Sequence, residues 1–164
     1  MAVEAAFALR NLKVGDLGWV IHRQALLYAQ EYAWDWTYEG LIAGILAEFV
    51  AHFDVEREQA WIAENDGHIA GSVFLMRGND AASAKLRLLY VEPAARGQGI
   101  GAALVAVCVA RARSIGYRRL TLWTNDVLIA ARHLYITAGF HLIAEEKHRS
   151  FGHDLVGQTW QLDL

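Results

Sequence analysis

The chain is short of the residues that staple or kink a protein, and of long runs of one character. Its 164 residues include one cysteine and one proline. A lone Cys108 cannot form an internal disulfide. Its place in an apolar helix pattern points to core packing rather than to a catalytic thiol. Lysine and arginine never run beyond two in succession and the net charge is −3, which argues against a nucleic-acid partner. The longest apolar run, Ile100 to Ala110, stops at Arg111, well short of the roughly 20 residues that span a bilayer. The N-terminus carries Glu4 and no basic start, unlike a secretory leader. A cytoplasmic protein with no membrane partner is expected. The His residues are scattered and none has zinc-site spacing, so no metal is expected.

What the chain does have is apolar mass. It is 55% hydrophobic with six Trp, enough to bury the core of a single domain spanning residues 1–164. Ala5 to Arg10 reads as a first strand, and Asp16 precedes an amphipathic helix through about Ala29. Leu41, Ile42, Ile45, Leu46, Phe49 and Val50 recur at helical spacing. Strands are expected at 58–64 and 68–77, joined by the hairpin dipeptide Asp66-Gly67. A strand at 84–91, a helix at 98–114 capped by Gly116, and a strand at 118–123 follow. Asp126 is expected to cap a helix at 127–137, before a closing antiparallel pair at 140–148 and 155–164. The order β-α-α-β-β-β-α-β-α-β-β implies an α/β fold, a mixed sheet with helices on both faces.

The densest information lies in LLYVEPAARGQGIGA, Leu88 to Ala102. A largely apolar strand ends at Glu92-Pro93, a glycine-rich turn follows, and a helix opens at once. Such a turn lets backbone N–H groups approach an anion at a helix N-terminus. A P-loop would need Lys-Ser/Thr after Gly101, where Ala102 and Ala103 stand. Gly97, Gly99 and Ala102 satisfy the dinucleotide string, but no acidic residue ends the next strand, and the chain is short for a second nucleotide-binding half. Arg96, Gly99 and Gly101 fit a third pattern, Arg/Gln-x-x-Gly-x-Gly/Ala. A tight turn with no ligand is the plain alternative.

That third pattern resembles the pyrophosphate loop of the GNAT N-acetyltransferases, which bind acetyl-coenzyme A. Two further features agree: Asn125 after the next strand, and LYITAGF from Leu134 to Phe140, where the family has a tyrosine and a Gly-Phe pair. The element order also matches, so the resemblance covers nearly the whole chain. It implies a mostly antiparallel twisted sheet. The closing SFGHDLVGQTW, Ser150 to Trp160, further resembles the acetyltransferase half of proteins fused to MarR-type regulators, although the chain leaves no room for that DNA-binding half.

The resemblance implies acetyl transfer from acetyl-CoA to a primary amine of a small molecule or peptide, without a metal. Backbone amides of Gly97, Gln98, Gly99, Ile100, Gly101 and Ala102 would hold the pyrophosphate, with Arg96 assisting. At Gly99 and Gly101 a branched side chain would block that approach. A bulge near Leu89–Val91 would part the central strand from its neighbour. Leu89 and Val91 would then pair with the pantetheine arm, and the Val91 amide would stabilise the oxyanion. Asn125 would bond the pantetheine or simply cap locally. Tyr135 would protonate the leaving sulfur. A thiol titrates near 8.5 and a phenol near 10, so the transfer is energetically reasonable. The family also often dimerises, so a homodimer is a possible assembly.

The amine-side base is not legible. The family's usual strand glutamate is replaced here by Lys85 and Arg87, which could pair with a substrate carboxylate or simply sit on a wet sheet face. Glu31, Tyr32, Trp34 and Asp35, in an aromatic bend between the first two helices, are the candidates for the acceptor pocket. With Glu39 the acidic residues there predict a cationic amine. Rival readings are a non-catalytic acyl-CoA sensor, which would not require Tyr135, and a dinucleotide-binding oxidoreductase domain.

Overall fold

The computed structural model describes residues 6–164. Strand β1 covers Ala8–Arg10, so Ala5 of the expected first strand lies outside the described residues. Helices α1 (Asp16–Tyr32) and α2 (Trp36–Ala51) follow, then β2 (Gln59–Asn65), β3 (His68–Arg77) and β4 (Ser83–Val91). A single 3-10 turn at Pro93–Ala95 leads to α3 (Ile100–Ile115), β5 (Arg119–Asn125), α4 (Ile129–Thr137), β6 (His141–Ser150) and β7 (His153–Asp163). The strand order is β1-β2-β3-β4-β5-β7-β6. Every neighbouring pair is antiparallel except β4 and β5. One parallel pair is not the parallel sheet of a dinucleotide-binding domain.

Two apolar layers sandwich the sheet. Leu104, Val105 and Cys108 of α3 pack on one face with Val73, Leu75 and Leu86. Val20 of α1 and Ile42, Leu46 and Phe49 of α2 pack on the other with Ile62, Phe74 and Met76. Strand β3 is covered on both sides, which is why Ala70 to Met76 is buried without alternation. The hairpin dipeptide behaves as read: Asp66 and Gly67 both have positive φ, 51° and 76°. Gly116 closes α3 at φ 102°, its N–H bonded to α3 carbonyls. No helix among the described residues is long and apolar enough to cross a membrane.

Two expected helix caps are replaced. Asp16 does not precede α1 but is its first residue, after Gly15 in the left-handed region. Its carboxylate accepts from the Lys13 amide at 2.6 Å and pairs with Arg10 at 2.7 Å, tying α1 to β1. Asp126 does not cap α4, which has Leu128 at its N-cap and no side-chain cap. Asp126 instead accepts from the Val156 amide at 3.3 Å, fastening the β5 end to β7.

The feature that shapes the site is the way β4 leaves β5. Their pairing is limited to Ser83, Ala84 and Lys85 against Arg119, Leu120 and Thr121. Between Arg87 and Tyr90, β4 takes three steps while β3 takes two, from Phe74 to Ser72. This is a bulge at Leu88–Leu89. Leu88 sits at φ 53°, a region that costs a side chain of this size about 1–3 kcal/mol. The buried Ser72 hydroxyl donates to the Leu88 carbonyl at 3.0 Å and fixes the distortion.

Asp16 makes the fold sensitive to acid. Burial alone would raise its pKa, but the bonds from Arg10 and the Lys13 amide outweigh that and hold it below its ordinary 3.8. A depressed carboxylate stabilises the fold above its unfolded pKa, and that stability is lost as pH falls through the folded value. Asp16→Asn should cost about 1.5–3 kcal/mol at neutral pH. The variant's denaturation midpoint should also fall less than the parent's as pH drops below about 4. Equal acid sensitivity in both would show that other carboxylates dominate.

Candidate active site

The parted strands open into a cleft of about 1120 Å³. The β4 floor contributes Lys85 to Leu89, and β5 contributes Thr121 to Asn125. Ile42 and Ile45 of α2 form one wall, Tyr28 and Gln24 of α1 another, and Leu128, Ala131 and Tyr135 close the α4 side. The β6–β7 turn, Ser150 to Gly152, reaches over the α1–α2 corner, where the Asp35 amide donates to the Phe151 carbonyl at 3.1 Å. Phe151 bends the turn with φ 58°. It packs on Trp34 and Tyr38 at ring distances of 4.9 and 5.0 Å.

Beyond Leu89, β4 continues to the glycine-rich loop outside the cleft. The Glu92 amide donates to Ala70 of β3 at 2.8 Å. Strand alternation therefore turns the Val91 N–H toward the β5 side, where no strand pairs with it. The N–H groups of Gly97 through Ala102 donate to no backbone carbonyl. Gly97 and Gly99 hold positive φ, 78° and 82°, with open space around them. A row of unspent amides at the start of α3 is what a pyrophosphate requires.

Gly101 is a different case. A Cβ there would meet the Cδ1 tip of Leu134 of α4 at 2.7 Å, so a side chain at this position would also have to displace Leu134. Arg96 is half exposed and pairs with Glu31 at 3.3 Å. Glu92, bound by Arg23 through both carboxylate oxygens, is not available as a base.

Tyr135 is 5% exposed and borders the cleft. Burial pushes its pKa up, with the neighbouring Tyr28 and Cys108 adding to the shift. The phenol therefore stays protonated at neutral pH and has a proton to donate. Asn125 is buried and lines the cleft on the β5 side, and its Oδ1 meets the His148 Nε2 at 2.8 Å. His148 Nδ1 meets the Ser150 hydroxyl at 2.9 Å, so β6 braces the end of β5.

The acidic acceptor cluster expected from the sequence does not form. Glu31 and Tyr32 are not part of the cleft wall, and Glu31 is spent on Arg96. Asp35 lines the cleft but caps α2, accepting from the Thr37 amide at 3.0 Å. Glu39 is exposed on α2, away from the wall. Trp34 is a wall residue, whereas Trp36 is 84% exposed because α2 begins there. Gln24 was not singled out in the sequence. Its side chain is buried, accepts from the Tyr38 hydroxyl at 3.2 Å and leaves Nε2 without a partner. Its spacing from Val20 and Leu27 marks it as inward-facing, but a polar residue on an apolar face carries no label of its own. His148 and Phe151 were invisible as site residues because the long β6–β7 hairpin carries them back to the cleft.

The profile of the Acetyltransferase (GNAT) family matches residues 23–140. The chain belongs to this family. The segment matched runs from α1 to Phe140, so it contains the loop, the bulge and Tyr135. Human N-acetyltransferase 8B is 34% identical over 84 residues, covering 49% of this chain and 37% of that protein. The uncharacterized N-acetyltransferase YjgM of Escherichia coli K12 is 31% identical over 85 residues, 51% of each chain. The uncharacterized N-acetyltransferase Rv2669 of Mycobacterium tuberculosis is 31% identical over 107 residues, 65% of this chain and 68% of that one. The chain thus spans only 37% and 51% of the first two relatives. In three dimensions it superposes on Salmonella typhimurium yncA, solved with its cofactor acetyl-CoA, at a TM-score of 0.78. That match has 20% identity and covers 97% of this chain and 94% of that one. Ribosomal-protein-alanine N-acetyltransferase of Brucella melitensis superposes at 0.76 with 22% identity, covering 96% and 99%. These two likenesses establish the GNAT fold.

The packing role of Gly101 can be measured. Gly101→Val should lower stability by about 1–3 kcal/mol through the collision with Leu134. Chemical denaturation without ligand checks this. An unchanged midpoint would mean that α4 yields without cost.

Proposed function

We propose that the chain is a single-domain, acetyl-CoA-dependent N-acetyltransferase. It would move an acetyl group to a primary amine of a small molecule or peptide by direct transfer. The observation that carries this reading is the parting of β4 from β5 after Lys85, beside a loop of unspent amides. The amides of Gly97 through Ala102 hold the pyrophosphate, and Arg96 beside them, paired with Glu31, assists. Leu89 and Val91 offer the pantetheine arm the backbone groups that a neighbouring strand would use. Asn125, braced by His148, holds the opposite side.

Acetyl-CoA supplies the activated acyl group. The acceptor nitrogen bonds to the acyl carbon, the C–S bond breaks, and the ammonium proton leaves to water. The Val91 N–H stabilises charge that grows on the acyl oxygen. Tyr135 gives its proton to the departing sulfur and recovers one from solvent. Trp34 and Asp35 border the acceptor end. The closing segment Ser150–Trp160, similar to the acetyltransferase half of MarR-fused proteins, supplies the turn above it. A non-catalytic acyl-CoA sensor would need the loop but not a phenol in the cleft. The Tyr135 hydroxyl, like that of Tyr28 on the cleft wall, makes no hydrogen bond among the described residues and so is open to a ligand, as the enzyme reading needs.

Coenzyme A should raise the melting temperature and NAD should not. At 100 dissociation constants the gain is about 2.7 kcal/mol. A shift with NAD alone would overturn the reading. Tyr135→Phe should lower turnover by about 10- to 1,000-fold, with acetyl-CoA affinity changed by less than about tenfold. Wild-type turnover where chemistry limits the rate would reduce Tyr135 to packing.

A further inference from the structure

Three cations line the cleft; Arg149 is paired with Asp154 at 3.1 Å, and the other two, Lys85 and Arg87, are not used by the transfer chemistry. Lys85 and Arg87 stand two apart on β4, and the residue between them, Leu86, is buried under α3. Strand alternation therefore turns both toward the α1–α2 face, and both line the cleft. Neither has a carboxylate within 4.0 Å among the described residues. Glu58 shares a smaller cavity with Arg87. Its oxygens are taken by the amides of Asp54 and Arg77, with the Arg77 guanidinium 3.6 Å away. Among the described residues the one carboxylate on the cleft wall is Asp35, beside Gly152. Partial burial pushes both cations below their ordinary pKa, and Arg87 lowers Lys85 further. Two like charges are thus held together, partly dry and without a counter-ion.

Their position says what kind of anion completes the site. Arg87 precedes Leu89 by two residues, about 6–7 Å along the strand. Acetyl transfer would occur at the Val91 N–H, two residues beyond Leu89 and so about 13 Å from Arg87 along the strand, a span that the extended Arg87 side chain and a small acceptor share. The diphosphate of coenzyme A lies the other way, past Val91. We infer that the acceptor is a primary amine that also carries a carboxylate, as amino acids do, with Arg87 and then Lys85 holding the carboxylate. The inference rests on the acetyltransferase reading. It replaces the cationic acceptor expected from Glu31, Asp35 and Glu39, which do not converge on the cleft.

The test is a panel of protein amino acids, each paired with its α-amide, assayed for thiol release from acetyl-CoA. The acid of at least one pair should exceed its amide in kcat/KM by about tenfold or more, the scale of one charge-assisted bond. Arg87→Gln should reduce that acid-to-amide ratio by about tenfold or more, mainly through KM. Lys85→Gln should reduce it less, and Arg87→Lys should restore part of it. Calorimetry with coenzyme A shows that each variant is folded. Turnover confined to amides or other carboxylate-free amines overturns the inference, as does a panel with no acid turned over, or an unchanged ratio in Arg87→Gln. Failure of coenzyme A to bind the parent protein is a separate outcome, and it overturns the acetyltransferase reading itself.

Discussion

The bulge at Leu88–Leu89 is the constraint on which the rest of the site depends. A regular β4 would continue alongside β5, and the sheet would close. Instead β4 spends one extra residue against β3, holds Leu88 in left-handed backbone, and is locked there by the Ser72 hydroxyl. The strands separate, and backbone groups at Val91 are left facing a gap. The local strain is offset by the packing on both sides of β3 and β4. The same departure aims the end of β4 at the start of α3, so the gap and the loop of free amides share one axis.

The elements were legible because their signals are local. The Asp66-Gly67 turn, the Gly116 cap, and the glycines after Pro93 each report a backbone conformation that few other residues adopt. The bulge was expected from family resemblance rather than from residue type, since nothing in Leu88-Leu89-Tyr90 announces a positive φ. The acceptor end was read least well. Glu31 and Asp35 looked like a cluster because they are near in sequence. One lies at the end of α1 facing Arg96 and the other caps α2, so their charges point to different neighbours. For Lys85 and Arg87 the sequence leaves two readings open, a partner for a substrate carboxylate or a wet sheet face. Only the tertiary arrangement shows them under α2, without acidic partners.

The cleft is therefore electrostatically divided. The cations without an acidic partner, Lys85 and Arg87, sit toward the paired end of β4 and β5, while Asp35 and the Asp154-paired Arg149 sit near the β6–β7 turn. Between them are protonated phenols, Tyr28 and Tyr135, both raised in pKa by burial. That arrangement can orient a small dipolar acceptor and donate a proton, while offering no thiolate, since burial raises Cys108 as well. The brace from Asn125 through His148 to Ser150 links the end of β5 to the turn over the acceptor end.

The central claim is that the gap between β4 and β5 is the channel for the pantetheine arm. Its most direct test is an amide-resolved NMR titration of the labelled protein with coenzyme A. The account predicts the largest shifts at the N–H groups of Val91 and of Gly97 through Ala102, with Asn125 and its side-chain amide following at the same ligand concentration. Shifts confined to other surfaces, with Val91 and the loop unmoved at saturation, would contradict it.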